Sequence, residues 1–467
     1  MKLRKLKGVA LALAGLLTVS ALGGCGNKQN ASDSGEVVIS VSNIIPSQDS
    51  QPDDYAQVMK QIEEFEKLHP NIKIENPEWS FDASSFMAMA EANTLPTCYQ
   101  VPLTEVERIK DLEYAVDITE EYDKRGYTEW LNEDGKETLG RDGKMYFLPT
   151  WTYYSTIIVN IELYKQAGFV GEDGTLYQPT DWEDLARVAK TIKDTTGVPG
   201  FAIPATQNIG GWRTMCMAWG YGVDFMEKDE NGKWKATFDT PEYADMFKLI
   251  SKMRWEDNSL PVSTLLDYGT PMQMISSGEL GMTFGDYDYV NNIMKIYKMD
   301  KDNLGVLRLP AGPKRNVSLV GGNVFAMSNS ATPEQISACF DFLEFLGYTP
   351  LLDDAVKKNM DEEMERDAKT KMIGPGFRSL WKDDAPSVKY KRELIEKNLN
   401  VNPKNVEHGN NLENLEFQAE EPVASQALYT AIDAILQEVL NNKNADIEKL
   451  ISDTAGTFQR NQLDTAK

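Results

Sequence analysis

Across 467 residues the chain carries 72 Asp plus Glu against 48 Lys plus Arg, a formal charge of −24, with two histidines and four cysteines. That length supports two or three domains with sizeable cores. The acidity argues against nucleic acid, whose phosphates need clustered Lys and Arg, and against flat docking on anionic lipid.

The chain opens with Lys2, Arg4, Lys5 and Lys7, followed by an uncharged run over 8–24 rich in Leu, Ala and Val and ending in Gly23-Gly24. A basic start, an apolar stretch and a small-residue exit predict an export signal; a bilayer span wants about 20 predominantly apolar residues, and this run is shorter. The tail Leu22-Gly23-Gly24-Cys25 resembles the lipobox of bacterial lipoproteins, which implies removal of residues 1–24 and a lipid on the Cys25 sulfur. Loss of the 24 residues leaves 443 of 467, and loss of their four basic side chains takes the charge from −24 to −28. Residues 25–35 are polar and lack aliphatic bulk, which predicts a flexible tether.

Val37, Ile39 and Val41 alternate, which predicts a strand over 36–42. Tyr55, Val58, Met59, Ile62, Phe65 and Leu68 then recur at helical spacing until Pro70. Strands follow over 71–75 and 97–101, with a short helix over 83–93 between them. This alternation predicts an α/β domain with a mainly parallel sheet. Thr180 and Glu183 form a capping box ahead of Leu185, Val188, Ala189 and Ile192, and Thr332, Pro333 and Gln335 do the same further on. Asn231-Gly232 marks a hairpin turn, and 422–463 predicts two amphipathic helices split near 441–444.

Enzyme signatures are missing: there is no G-x-S-x-G, P-loop, H-E-x-x-H or post-strand G-x-G-x-x-G. Asp286 and Asp288, taken as lying on one strand, would stand roughly 7 Å apart, but glycosidase carboxyls generally come from different strands across the scissile bond. Residues 300–305 echo an EF-hand loop, yet position twelve is Ala311 where a bidentate Glu is needed, so a polar turn into a strand is expected and no metal is implied. Cys98, Cys216 and Cys339 are odd in number and form no C-x-x-C; Cys339 shares a helical face with Ile336, Leu343 and Leu346 and is expected in the core.

The aromatics carry more. Trp182 and Trp234 lie on a capped helix and in a hairpin and are expected to pack. Trp79, Trp151, Tyr153, Trp212, Trp219 and Tyr287 instead fall at expected strand ends and loops. A flat apolar face beside a polar rim suits a sugar ring, whose C–H groups pack on an aromatic while its hydroxyls need hydrogen bonds.

Six segments, FEKLHPNIKIE, RDGKMYFLPT, STIIVNIELYKQAGF, QPTDWEDLARVAK, GELGMTFGDYDYV and LGVLRLPAGP with SLVGGNVFAMSN, stand in the order seen in the extracellular solute-binding proteins of family 1. The chain resembles these sugar receptors of bacterial ATP-binding cassette importers from about Val37 to its C-terminus. The resemblance implies a two-lobed periplasmic-binding-protein type II fold with the ligand between the lobes. Lobe one would take 36–150 plus 306–345 and lobe two 151–305 plus 346–467, with crossings near 150–156, 303–309 and 344–348.

By the same resemblance, Tyr287 or Tyr289 stands where the family's stacking aromatic is more often Trp. Trp212 falls at a cleft position of the second lobe, and Gly321, Gly322 and Asn323 match a stretch that lets backbone approach the ligand. Trp151 and Tyr153 follow the first crossing, and Gln100 ends the third strand, where α/β ligands usually lie. The expected protein is a monomeric, lipid-anchored sugar receptor, without cofactor, metal or catalysis, serving an ABC permease. Trp79, Trp219 and the other aromatics would hold ring faces, while Asp286, Arg213, Gln100 and Asn323 bind hydroxyls. A polyamine or anionic solute on the same fold, and a surface glycan-degrading enzyme using Asp286, are the alternatives.

Overall fold

The computed structural model describes residues 35–466 apart from 50, 51, 78, 375 and 465. The expected export signal, Cys25 and all but the last residue of the tether lie outside the described residues. Among those described, no helix is long and apolar enough to cross a membrane.

The first of two α/β bodies follows the predicted alternation. Strand Val37–Ser40 pairs in parallel with Ile72–Glu75 across helix Pro52–Leu68, and a parallel bridge from Val41 to Cys98 leads to strand Cys98–Pro102. The helix faces inward through Ile62 and Phe65; Phe65 is fully enclosed, a burial that stabilises by about 1.5–3 kcal/mol. Its next turn ends at His69, stacked on Phe65 at 4.4 Å, before Pro70 forbids continuation.

The second body is built on a four-stranded sheet in the order Leu304–Arg308, Thr156–Asn160, Met282–Gly285, Phe201–Ala202. Helices Trp182–Thr196, Ile209–Tyr221, Pro241–Trp255, Ser425–Asn441 and Ile447–Phe458 supply most of its core. The Asn231-Gly232 turn joins antiparallel strands Met226–Lys228 and Trp234–Ala236, as expected. Helices Ile209–Tyr221 and Ser425–Asn441 approach so closely that a Cβ on Gly211 would fall 2.4 Å from the Tyr429 carbonyl oxygen.

Two strands join the bodies. Val317–Met327 starts in the second core at Val317 and Leu319 and ends in the first at Val324 to Met327. Its antiparallel partner Phe147–Tyr154 runs back beside it, with a register shift between Gly322 and Val324. The first expected crossing, 150–156, overlaps strand Phe147–Tyr154 of this ribbon and the start of strand Thr156–Asn160. The second does not, because Leu304–Arg308 is hydrogen-bonded along its length to Thr156–Asn160 and belongs wholly to the second sheet; the chain crosses instead near 320–323. Residues 346–415 serve both bodies: Leu380, Trp381, Ala385 and Val388 pack in the first core, whereas Met372, Val401 and Val406 pack in the second. The expected divisions at 306 and 346 therefore cut through packed units.

Two local expectations shift by a residue or two. Asp181, not Thr180, caps helix Trp182–Thr196, its carboxylate accepting from the Asp184 N–H at 2.8 Å. Asp286 and Asp288 do not share a strand: the strand stops at Gly285, Asp286 caps helix Tyr287–Tyr297, and Asp288 lies in its first turn. Cys339 is enclosed in the first core as expected.

Candidate functional site

A cavity of about 280 Å³ opens where the two-stranded ribbon passes between the bodies. That is the low end for small-molecule sites, which run from about 300 Å³ to 1,000 Å³. The ribbon contributes Thr150, Thr152 and Tyr153 from one strand and Gly322 and Asn323 from the other. The first turn of helix Tyr287–Tyr297 adds Tyr287 and Asp288. The far wall comes from helices Asp354–Thr370 and Pro386–Lys397 and the loop between them, which bring Glu363, Asp367, Lys371, Phe377 and Lys391.

Backbone geometry sets the aromatic floor. A Cβ on Gly321 would fall 2.5 Å from the Tyr153 ring, so only glycine lets that ring lie flat on the neighbouring strand. Next to it, Gly322 has φ of +145°, a conformation L side chains rarely adopt. Tyr153 and Tyr287 are both half-buried, and burial pushes both phenols up, with Asp286 and Glu420 adding to the effect at Tyr153.

The charged wall is internally paired. Lys391 meets Glu363 at 3.1 Å, and Lys371 meets Asp367 at 2.9 Å. Burial alone would raise Glu363, but Lys391, Lys371 and Arg366 outweigh it and hold the carboxyl below its usual range. Asp367 goes the other way, because desolvation exceeds what Lys371 returns. Asp288 is also raised, by the surrounding protein and by Asp286, although the residue itself is exposed at the cavity's rim.

The expected site residues divide into three groups. Tyr153, Tyr287 and Asn323 line the cavity, and Gln100 adjoins them by accepting from the Asn323 amide at 3.3 Å. Arg213 and Asp286 form a buried ion pair at 2.7 Å, and Asp286 also accepts from the Tyr289 N–H. The pair is enclosed behind the cavity wall, although among the described residues the Arg213 Nη2 atom makes no aligned hydrogen bond, and Asp286 borders a small adjoining cavity with Tyr153 and Tyr287. Trp212 is half-buried beside them, with the Arg213 guanidinium 4.2 Å from its ring centre and its indole N–H donated to Glu420 at 2.9 Å. Trp219 is fully enclosed, its indole N–H on Glu421, and Trp79 packs at the edge of the first core against Tyr99. These two are packing residues. The Trp151 side chain lies outside the described residues.

Sequence reasoning missed the wall formed by Glu363, Asp367, Lys371 and Lys391. On isolated polar helices these residues read as solvated faces, and nothing local says that both helices turn toward the ribbon. Phe377 was within reach, since Gly374-Pro375-Gly376-Phe377 puts an aromatic in a loop, the signal used elsewhere along the chain.

A family model described as a bacterial extracellular solute-binding protein matches residues 60–357. No curated protein matches the sequence. Among solved structures, maltose-bound MalE3 of T. maritima is 18% identical, with 91% of this chain and 99% of that chain covered at a TM-score of 0.63. The cyclic alpha-maltosyl-1,6-maltose binding protein of Arthrobacter globiformis is 17% identical over 91% and 98% at 0.64. UgpB of Mycobacterium tuberculosis, in complex with glycerophosphocholine, is 16% identical over 91% and 98% at 0.66. At these identities the likeness is one of fold.

Proposed function

Since the chain belongs to the bacterial extracellular solute-binding proteins and is a binding protein rather than an enzyme, we propose that it is the receptor that captures a sugar, probed at its terminal residue, for an ABC permease. The observation that carries this is the cavity at the ribbon, where the rings of Tyr153 and Tyr287 stand beside a rim of Asn323 and paired charges. Aromatic faces hold the C–H side of a pyranose, and fixed carboxylates, amides and ammonium groups hold its hydroxyls. A volume near 280 Å³ takes the end of an oligosaccharide, with the rest running out of the open side. Two solved structures of this fold are described as binding maltose or a maltosyl sugar, which is consistent with the proposal.

A thermal-shift and calorimetry panel of oligosaccharides against charged metabolites tests it. Stabilisation by a sugar, weakened about tenfold or more in Tyr287→Ala through lost stacking area, is the expected result. Stabilisation by non-sugar metabolites alone overturns the sugar reading.

Residues 1–35 complete the proposal: Cys25 carries a lipid, residues 25–35 tether the body, and the receptor searches for solute beside its permease as a monomer. Acyl chains contribute about 0.8 kcal/mol per buried CH₂. Cys25→Ala is therefore expected to move the protein from the membrane fraction to the medium, and unchanged membrane retention would remove the anchor.

A further inference from the structure

The stretch over 374–381 links the two bodies beside the ribbon. On the second-body side, the Asn410 side chain donates to the Gly374 carbonyl at 2.7 Å and accepts from the Gly376 N–H. Asn410 ends helix Glu407–Asn410, which lies so close to strand Leu304–Arg308 that a Cβ on Gly409 would fall 2.9 Å from the Val306 carbonyl oxygen. On the first-body side, Asn132 donates to the Ser379 carbonyl through its side chain at 2.9 Å and to the Leu380 carbonyl through its N–H at 3.1 Å. Leu380 and Trp381 then enter the first core. Arg378 stands between these two ends. Its backbone exchanges hydrogen bonds with Thr152 of the ribbon at 3.1 and 3.3 Å, and the Thr152 hydroxyl donates to the Arg378 carbonyl at 2.7 Å. Thr152 and Phe377 both line the cavity. The Arg378 guanidinium meanwhile reaches both bodies. It pairs with Asp134 of helix Glu133–Leu139 in the first. It also lies 4.4 Å from the ring centre of Phe417, on strand Glu416–Gln418, which pairs with Val317–Leu319 at the second-body end of the ribbon.

We propose that Arg378 is a positioning residue of the receptor, which sets the angle between the two bodies and holds Phe377 and Thr152 in place at the cavity. This rests on the reading of the cavity as the solute site, and it names the residue that ties that site to both bodies. An exposed arginine paired with one carboxylate contributes little. The Arg378 side chain is only 10% exposed, so its ion pair and its contact with the Phe417 ring act with less screening by water. The arrangement needs a planar guanidinium, which pairs at its edge while its face lies on a ring. A lysine ammonium is a point charge and cannot serve both partners in that way. Each contact holds a different body, so a change in the angle between the bodies pulls on one contact or the other.

Hydrogen exchange and small-angle scattering of the solute-free protein test this. Arg378→Lys keeps the charge but loses the planar group, while Asp134→Asn and Phe417→Leu each release one arm and leave Arg378 in place. Arg378→Lys is expected to speed exchange of the Thr152 and Arg378 amides by about tenfold or more, as loss of one charge-assisted contact supplies. It is also expected to enlarge the radius of gyration, while amides of strands Thr156–Asn160 and Cys98–Pro102 keep their protection. Asp134→Asn and Phe417→Leu are expected to move both readouts in the same direction by less. Unchanged exchange at Thr152 and Arg378 overturns the positioning role. Faster exchange shared equally by the two core strands also overturns it, since Arg378 would then serve only overall stability. An unchanged radius of gyration in all three variants overturns control of the angle, and no effect of either single-arm variant overturns the double contact. No solute enters these measurements, so their failure leaves the result of the sugar panel standing, and failure of the panel leaves theirs.

Discussion

At the scale of single residues, the clearest physical consequence of the fold lies behind the cavity. Glu420 and Glu421 each hold the indole of one tryptophan of helix Ile209–Tyr221, Trp212 and Trp219. Burial pushes the Glu421 carboxyl up to about 7, the Trp219 hydrogen bond lowers it in part, and nearby Asp224 raises it further. A carboxyl with a folded value above its unfolded 4.5 binds its proton more tightly in the native state. Its contribution is therefore fully present below about pH 4.5 and is lost as pH rises through about 7. A shift of that size corresponds to an upper bound of about 3 kcal/mol. Glu421→Gln keeps an oxygen to accept from Trp219 but has no charge to bury. The variant is expected to have a melting temperature that changes less between pH 5 and pH 8 than that of the parent, and parallel curves would remove Glu421 as the titrating group. The same reasoning applies to Arg213 and Asp286. Two buried charges 2.7 Å apart offset each other's desolvation, and removing either would strand its partner.

At the scale of elements, what was legible in the sequence was what short-range chemistry decides. Helix Pro333–Phe345 starts where its capping box says it should: the Thr332 hydroxyl accepts from the Gln335 N–H at 3.2 Å, and the Gln335 side chain accepts from the Thr332 N–H at 3.0 Å. Gln335 also donates to the Val38 carbonyl at 2.9 Å, so the cap fastens the helix to the first strand. Thr332→Ala is expected to cost about 1 kcal/mol. Gln335→Ala is expected to cost more, because it strips a partner from both Thr332 and Val38; urea midpoints with unchanged slopes would measure both, and equal losses would deny the tie to the strand. Helix Trp182–Thr196 was legible to within a residue, since Thr180 and Asp181 are both good caps and only the backbone chooses between them. Strand Leu304–Arg308 was legible as a strand but not as a member of the second sheet, because pairing with Thr156–Asn160 joins residues far apart in sequence. The candidate site failed for the same reason. Tyr153, Tyr287 and Asn323 announced themselves by type and local setting, whereas Glu363 and Lys391 gain meaning only after two polar helices fold over the ribbon.

At the scale of the molecule, the ribbon decides how the two bodies can move. Two antiparallel strands cross together, paired from Val320 with Tyr154 to Ala326 with Phe147 and interrupted only between Gly322 and Val324. Paired strands resist shear, so bending concentrates where the register breaks, beside the cavity itself. Gly322 is the residue best suited to bend, having φ of +145° and no side chain. The receptor class closes around its ligand by hinge motion, and a hinge at Gly322 would couple closure directly to Tyr153 and Asn323 on either side of the pairing. Solute is therefore expected to reduce the radius of gyration in small-angle scattering. Gly322→Ala, forced into a strained conformation or a shifted backbone, is expected to weaken binding and to diminish that contraction together. Gly322 itself lines the cavity and packs in neither core, so its stability loss should stay near 1 kcal/mol, the usual scale for a glycine replaced at positive φ. Full contraction with normal affinity in Gly322→Ala would place the hinge elsewhere, in the 346–415 segment that also packs against both bodies.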